Sequence, residues 1–544
     1  MDKKALLALV LSAAVLLIYQ IFIYKTTPPP KPVNENKSNT VVVNPAAPVS
    51  PQTPADEPSS GSAANPETAA ALPVDGTEKE QEITVDTPLY QAVFTTKGGA
   101  LKSFALKNYR ETLAVNSKPI ELVDVKEAMP YPLGISFPAS SVDVSPASFF
   151  KADVPAIDLK STSESRRLTF VQTWPGKIKI EKIYTFNPGK YAIDLEIRTY
   201  NLSEVPLSQE IALFWNQYVD PSAKEDSYGH TGPVSYVAKD VEREKVTKME
   251  TPKSLGPDVS WGGFESKYFI AAMIPQNPSL TSLSLSKDSS NMVSTSLKGP
   301  KNIIPPGQAG FFTYKLFLGP KDYNILKAQG VGLENAIDFG SWLKWLAMPL
   351  LLSLKFLYNY VHNYGIAIII LTILIKILFW PLGNKSYKSM KEMQKLQPKM
   401  LELREKYKND KARLSQETMA LYKAYKVNPM GGCLPMIIQI PVFFGLYKAL
   451  LYAIELRHSP FFLWIQDLSA KDPYYITPII MGATMFLQQK MTPVSGDPTQ
   501  AKIMLWMPVI FTFMFLNFPS GLVIYWLFNN ILSIGQQYYI NKQA

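Results

Sequence analysis

YGIAIIILTILIKILFWPL, residues 364–382, is apolar along its length except for one full charge, Lys376. At ~1.5 Å rise per residue such a helix is about long enough to cross a ~30 Å hydrocarbon core. Lys376 precedes Pro381 by five residues, which places it roughly 7 Å inside one end of the span. A charge at that depth costs about 2.5–3.5 kcal/mol, so it is expected to face a protein interior or a wet cavity. The competing reading is a lysine that snorkels to nearby headgroups. Thr372 lies one turn away on the same face.

The segment that follows is strongly basic. Residues 383–428 hold twelve Lys or Arg against five Asp or Glu, which puts them in the cytoplasm by the positive-inside rule. Met390, Met393, Leu396, Met400, Leu403 and Tyr407 recur at three- and four-residue steps, and Leu414, Leu421 and Tyr425 follow the break at Asn409-Asp410. This predicts an antiparallel helical hairpin, kinked at Pro398. Its basic surface suits RNA, a ribosome or anionic lipid, or is simply a solvated face. On the other side, residues 334–363 place Leu350, Leu351, Leu354, Leu357, Tyr358 and Val361 on one helical face and Lys355 and Asn359 on the other. A helix lying in the membrane interface fits that pattern. A crossing there would move the basic hairpin to the wrong side.

Residues 83–330 alternate apolar and polar over short runs broken by Gly, Pro and Asn, as in QAVFTTKGGALKSFAL and KIKIEKIYTFNPGKYAIDLEIRTYNL. Period-two patterning with frequent turns predicts an antiparallel β-sandwich. Residues 26–82 carry eleven prolines among Ser, Ala, Asn and Thr, and read as a disordered tether. Residues 1–25 begin MDKK and continue apolar, longer than a signal-peptide core and without a small-x-small cleavage site, so an uncleaved anchor is expected. Lys3 and Lys4 keep its start in the cytoplasm and the β domain outside.

Towards the C-terminus, residues 429–544 contain four more apolar stretches, 431–452, 474–489, 503–518 and 522–539. Two of these have only about sixteen residues, short of the ~20 a bilayer calls for, and imply local thinning. The expected fold is therefore an α-helical membrane protein of six transmembrane helices, five in its core, with a large all-β periplasmic sandwich domain and both termini cytoplasmic.

Composition narrows the function. No phosphate-binding Gly-x-x-x-x-Gly-Lys motif occurs, so no ATP motor is indicated. One cysteine, Cys433, and three scattered histidines, His230, His362 and His458, exclude a disulfide framework and a Cys/His metal cluster. No catalytic site, cofactor or metal is expected. The polar residues within the spans are few and patterned: Thr372 and Lys376 in the first core helix, Gln439 between Pro435 and Pro441 in the second, and Trp526, Asn530, Ser533 and Gln537 at steps of four, three and four in the last. Such stripes either join helices by hydrogen bonds or line a wet groove floored by the lysine. With so few polar groups in so few helices, a groove is favoured over a sealed pore.

Two stretches, NPMGGCLPMIIQIPVFFGLY from Asn428 and MPVIFTFMFLNFPSGLVIYWLFNN from Met507, resemble signature segments of the YidC family of membrane protein insertases. The resemblance covers residues 364–537 by motif, and the whole order of segments looks like the Gram-negative form. It implies a non-enzymatic insertase and chaperone of the bacterial inner membrane, with a hydrophilic groove open to cytoplasm and lipid and an outer β-supersandwich similar to sugar-mutarotase folds. Carried over by position, Lys376 stands where the family usually has a groove arginine, Thr372 and Gln439 match other groove positions, and Trp526 matches an aromatic contact for the client. Lysine keeps the charge but not the planar fork. The implied partners are nascent membrane proteins, the Sec translocon, the ribosome through the basic hairpin and the lipid bilayer, with no small-molecule substrate. After Tyr539 only INKQA remains, shorter than the basic tail of many members. The alternative is a membrane-tethered periplasmic protein that binds or modifies carbohydrate.

Overall fold

The computed structural model describes residues 79–544 apart from 127–128, 223–228, 341, 426, 428–433, 492–497 and 544, together with the short strand Ala70–Ala71. The expected anchor over 1–25, most of the tether, and Cys433 lie outside the described residues.

Alternation is what builds the β domain. In the strand Ala192–Asn201 every second residue is buried, so Ile193, Leu195, Ile197 and Thr199 point inward. Its neighbours Ile178–Phe186 and Ala309–Pro320 pair with it antiparallel, setting Tyr184 opposite Leu195 and Leu195 opposite Tyr314. These belong to a nine-stranded sheet. The turn between Arg166–Trp174 and Ile178–Phe186 uses Pro175 and Gly176: the Lys177 N–H donates to the Trp174 carbonyl at 3.0 Å and Gly176 takes φ +66°. Proline pre-sets the first central position, and the second requires a left-handed backbone. Two five-stranded sheets complete the main layers. Trp215, Trp261, Phe94, Phe104, Phe170 and Tyr184 are among the large side chains sealed in the core.

Pairing is antiparallel nearly throughout, with two exceptions among the described strands. Glu82–Asp86 pairs parallel with Ala156–Asp158, and Ala70–Ala71 pairs parallel with Val142–Asp143. A parallel pair needs a long crossover, here the sixty-nine residues between Asp86 and Ala156. Nothing in local alternation announces it.

The strand Ala309–Pro320 ends in a short helix, α1 (Tyr323–Lys327), capped by Asp322, whose carboxylate accepts from the backbone N–H groups of Asn324 and Ile325. Helices follow: α2 (Lys344–Val361), α3 (Tyr364–Leu378), α4 (Trp380–Lys395), α5 (Gln397–Lys406), α6 (Lys411–Ala424), α7 (Leu434–Tyr452), α8 (Ile476–Met491), α9 (Pro498–Phe515) and α10 (Ser520–Gln543). α2 packs on α3 and α7, α9 on α8, and α10 on α3, α4 and α8.

α2 buries Ala347, Leu350, Leu351 and Leu354. Lys355, which sequence reading leaves on the solvated face, instead bonds the carboxylates of Asp322 at 2.8 Å and Glu455 at 2.7 Å. Asp338 does similar work, accepting from Lys448 at 3.1 Å and the Tyr452 hydroxyl at 3.2 Å. These contacts tie the exit of the β domain to one end of α7.

Residues 364–382 are not one straight helix. α3 stops at Leu378 and α4 starts at Trp380, the two axes meeting at 63°. Pro381 sits in the first turn of α4, where its missing N–H is harmless, and Phe379 between the helices takes φ −94°, ψ 4°. Pro398 behaves alike: the expected kink is a break at Leu396 with Pro398 in the first turn of α5. Among the described residues no single helix is long and apolar enough to cross a membrane alone; α3 and α4 meet that test only as a bent pair. Helix length and hydropathy among the described residues therefore do not confirm the six-span count.

α3 begins with Asn363, whose side-chain oxygen accepts from the Ile366 N–H at 3.1 Å while its amide donates to the Phe461 carbonyl at 3.1 Å. Gly365 leaves room for the Phe461 ring, since a Cβ there would sit 2.0 Å from it. Gly365→Ala is expected to cost about 1–3 kcal/mol through overpacking and to lower the thermal unfolding midpoint of the detergent-solubilised chain. An unchanged midpoint would show that the ring moves aside freely.

Candidate functional site

The floor of the candidate site is a polar contact between two apolar helices. On α3 the Lys376 amine donates to the Ser533 hydroxyl on α10 at 2.6 Å, and that hydroxyl donates to the Asn529 carbonyl at 2.7 Å. The Tyr387 hydroxyl of α4 also reaches Ser533. Lys376 remains partly exposed, while Ser533 is buried. The amine is therefore held against α10 while part of the lysine side chain stays accessible. Ile373, Leu374, Ile377 and Leu378 around it are exposed, and they form the apolar side of the same helix.

The other predicted residues divide into separate contacts. Thr372 is buried and donates its hydroxyl to the Ile368 carbonyl at 2.7 Å, the ordinary back-bond of a threonine inside a helix. Asn530 is buried and donates to the Thr484 hydroxyl of α8 at 3.3 Å. Gln537 donates to the Met491 carbonyl at the end of α8 at 2.6 Å, and its buried side-chain oxygen has no hydrogen-bond partner among the described residues. Trp526 does not continue the polar stripe. It packs edge-on against Phe443 at 4.5 Å between ring centroids and lies 5.2 Å from Phe515. Gln439 is partly buried on α7 one turn before Phe443, on the same face as that aromatic group. Lys376, Ser533 and Tyr387 thus come together, whereas Trp526 belongs to the α7–α9–α10 aromatic cluster and Gln439 lies one turn from that cluster's Phe443 on α7.

Sequence reading missed Gln536. It is buried and donates to the Trp380 carbonyl at 3.2 Å and the Asn384 side-chain oxygen at 2.9 Å, holding α10 against the start of α4. Gly383 makes this possible, since a Cβ there would sit 2.6 Å from the Gln536 amide nitrogen. A signal existed: Gln536 is three residues after Ser533 and shares its face. Its partners on α4 belong to a segment that the straight-helix expectation had carried away from α10.

No group of three or more His, Cys, Asp or Glu side chains able to hold a metal occurs among the described residues.

A β domain joined by polar contacts to a set of apolar helices with bonded polar side chains between them defines a membrane protein with a large extramembrane domain. Residues 82–353 match the family described as YidC periplasmic domain, and residues 356–544 match the 60Kd inner membrane protein family. The membrane protein insertase YidC of Geobacter metallireducens is 45% identical over 542 residues, covering 100% of this chain and 98% of the relative. That of Geotalea daltonii is 46% identical over 543 residues, covering 100% and 99%. A solved structure of an active YidC insertase with its first transmembrane domain resolved aligns with 86% of this chain and 94% of its own, at 20% identity and a TM-score of 0.39.

The chain belongs to the YidC family of membrane protein insertases. It is a non-enzymatic insertase of a bacterial membrane, and its clients are nascent membrane proteins. The carbohydrate-modifying alternative is set aside.

Proposed function

We propose that clients enter the membrane through a cationic groove whose floor is Lys376 bonded to Ser533, open to the cytoplasm and to lipid. Asn530 ties α10 to α8 beside the floor, Thr372 lines it one turn from Lys376, and Gln439 and Trp526 meet the client further along. The observation that carries this reading is Lys376, a partly exposed residue in an otherwise apolar helix whose amine is hydrogen-bonded to Ser533. A polar client flank costs several kcal/mol in hydrocarbon, and a wet floor partway across shortens that passage. α3 at fifteen residues reaches only about 22 Å, which suits a locally thinned bilayer.

In this reading the chain crosses the inner membrane six times, with residues 1–25 as the anchor, 26–82 as the tether and both termini in the cytoplasm. Residues 83–330 form the periplasmic domain and 334–363 lie in the interface. The first core span is 364–382, the basic hairpin 383–428 faces the ribosome, and 429–544 supply the remaining spans. The protein works alone or beside the Sec translocon.

The test is insertion into vesicles of two small membrane proteins differing only in an acidic or an uncharged tail. Lys376→Ala should reduce insertion of the acidic-tailed client about three- to tenfold, the range expected for losing one charge contact of ~1 kcal/mol, and spare the other. Lys376→Arg should restore it. Equal insertion of both clients by Lys376→Ala would defeat the role of the charge.

A further inference from the structure

We propose that the exposed tip at residues 111–116, between the strands Ala100–Arg110 and Pro119–Glu121, rests in the outer lipid boundary, so that the β domain itself touches the bilayer. The inference rests on reading α3 as a span whose outer end is at Gly365.

The base of this hairpin is fixed to the helical core. The Arg457 guanidinium donates to the carbonyls of Arg110 at 2.5 Å and Glu111 at 3.1 Å, and it stands 5.8 Å from the Phe269 ring, which Tyr109 meets edge-on at 5.3 Å. Arg457 follows the end of α7 by five residues. The chain then turns at Phe461, whose ring fills the space above Gly365 and whose carbonyl accepts from Asn363. The corner 457–463 is thus level with the first turn of α3.

Apolar side chains are exposed beside this level. The corner exposes Phe462 and, at 79%, Leu463, and the end of α2, where Tyr358 stacks on Tyr364 at 3.9 Å, exposes Phe356 and Tyr360. The hairpin tip adds Leu113 at 52% and Val115 at 97%. Isolated exposed apolar residues need no explanation, but these stand on a hairpin bonded at its base to the corner that exposes Phe462 and Leu463. Asn116 supplies an ordinary turn residue here, but Leu113 and Val115 beside it are not what a turn in water favours. The Glu111 N–H bonds the Lys118 carbonyl, and Val115 stands three residues from Lys118, so the tip reaches at most about 10 Å from that pair, the depth of a boundary layer about 5–10 Å thick. Arg110, Glu111 and Lys118 flank the tip and keep their charges at headgroup level.

The full-length protein with Cys433→Ala, carrying a single cysteine at 115 or at 463 labelled with an environment-sensitive fluorophore, is reconstituted in phosphatidylcholine–phosphatidylglycerol vesicles. Lipids brominated near the glycerol end of their chains serve as quenchers. Both labels should shift to the blue and lose emission, and adding Val115→Asp to a label at position 113 should return that label to its aqueous spectrum. Quenching at 463 with an aqueous, unquenched label at 115 would overturn the lipid contact while leaving the placement of α3 intact. An aqueous label at both positions would overturn both.

Discussion

Glu265→Gln is expected to cost the β domain about 3–5 kcal/mol, the penalty for leaving buried cations without their counter-charge. The carboxylate is fully buried and divides its oxygens between two cations: Oε1 accepts from Arg243 Nε at 2.6 Å and Oε2 from Lys321 Nζ at 2.7 Å. Lys321 is itself buried, and Arg243 also donates to the Ala336 carbonyl at 2.8 Å, just before α2. Burial pushes the Glu265 carboxyl up, but the charges of Lys321 and Arg243 outweigh it and hold the group below the ordinary carboxylate range. A carboxyl depressed in the folded state contributes stability above its unfolded value of 4.5 and loses it as pH falls through the folded value. The wild type should therefore lose this contribution in acid, while the glutamine variant, already without it, should change less. Thermal unfolding of the solubilised chain, followed by the β-sheet circular dichroism signal at pH 7 and below 4.5, measures both effects. A midpoint unchanged at pH 7 would mean that the two cations find other partners.

Lys182→Met is the second large effect, expected to cost about 2–4 kcal/mol because the buried carbonyls of Gly98 and Leu133 lose their side-chain donor and Gly99 keeps only the Tyr184 hydroxyl. Lys182 Nζ donates to Gly98 O at 3.0 Å, Gly99 O at 2.8 Å and Leu133 O at 2.6 Å, with no exposed surface. Gly98 and Gly99 form a left-handed turn at φ +73° and +52°, and a Cβ on Gly98 would sit 2.7 Å from the Pro146 carbonyl. The turn depends on glycine for its backbone and on lysine for its carbonyls. Burial pushes the amine down to about 7. Between that value and its unfolded value of 10.5 the unfolded chain binds the extra proton, so stability should rise with pH across this window. Urea midpoints at pH 6.5, 8 and 9.5 should climb in the wild type and rise less in Lys182→Met. Equal slopes would remove Lys182 as the cause.

Much of the β domain was legible because its strands obey a two-residue period, and so was Lys182, had the parity been followed. In KIKIEKIYTF the inward positions are Ile178, Ile180, Lys182, Tyr184 and Phe186, so the pattern that names the core also names the lysine within it. The parallel pair of Glu82–Asp86 with Ala156–Asp158 was not legible, since a partner seventy residues away leaves no local trace. In the helical part, Lys376 stood out as a lone charge, and α10 announced Asn530 and Ser533 by their spacing. Trp526 was read into the same stripe by position, whereas its bulk and flat faces place it among Phe443, Phe511 and Phe515. The bend at Phe379 was written in Pro381, but an unbroken apolar run outweighed it in the reading. Lys355 was hardest to see: a lysine opposite an apolar face looks solvated until Asp322 and Glu455 are brought to it by distant chain.

That lysine also imposes a sequence of events on the protein's own biogenesis. Asp322 and Lys355 leave the ribosome early, yet Glu455 emerges 100 residues after Lys355, behind α7. The three-way bridge cannot close until α7 has been threaded into place, so α2 waits on a late-arriving carboxylate before it is clasped from both sides.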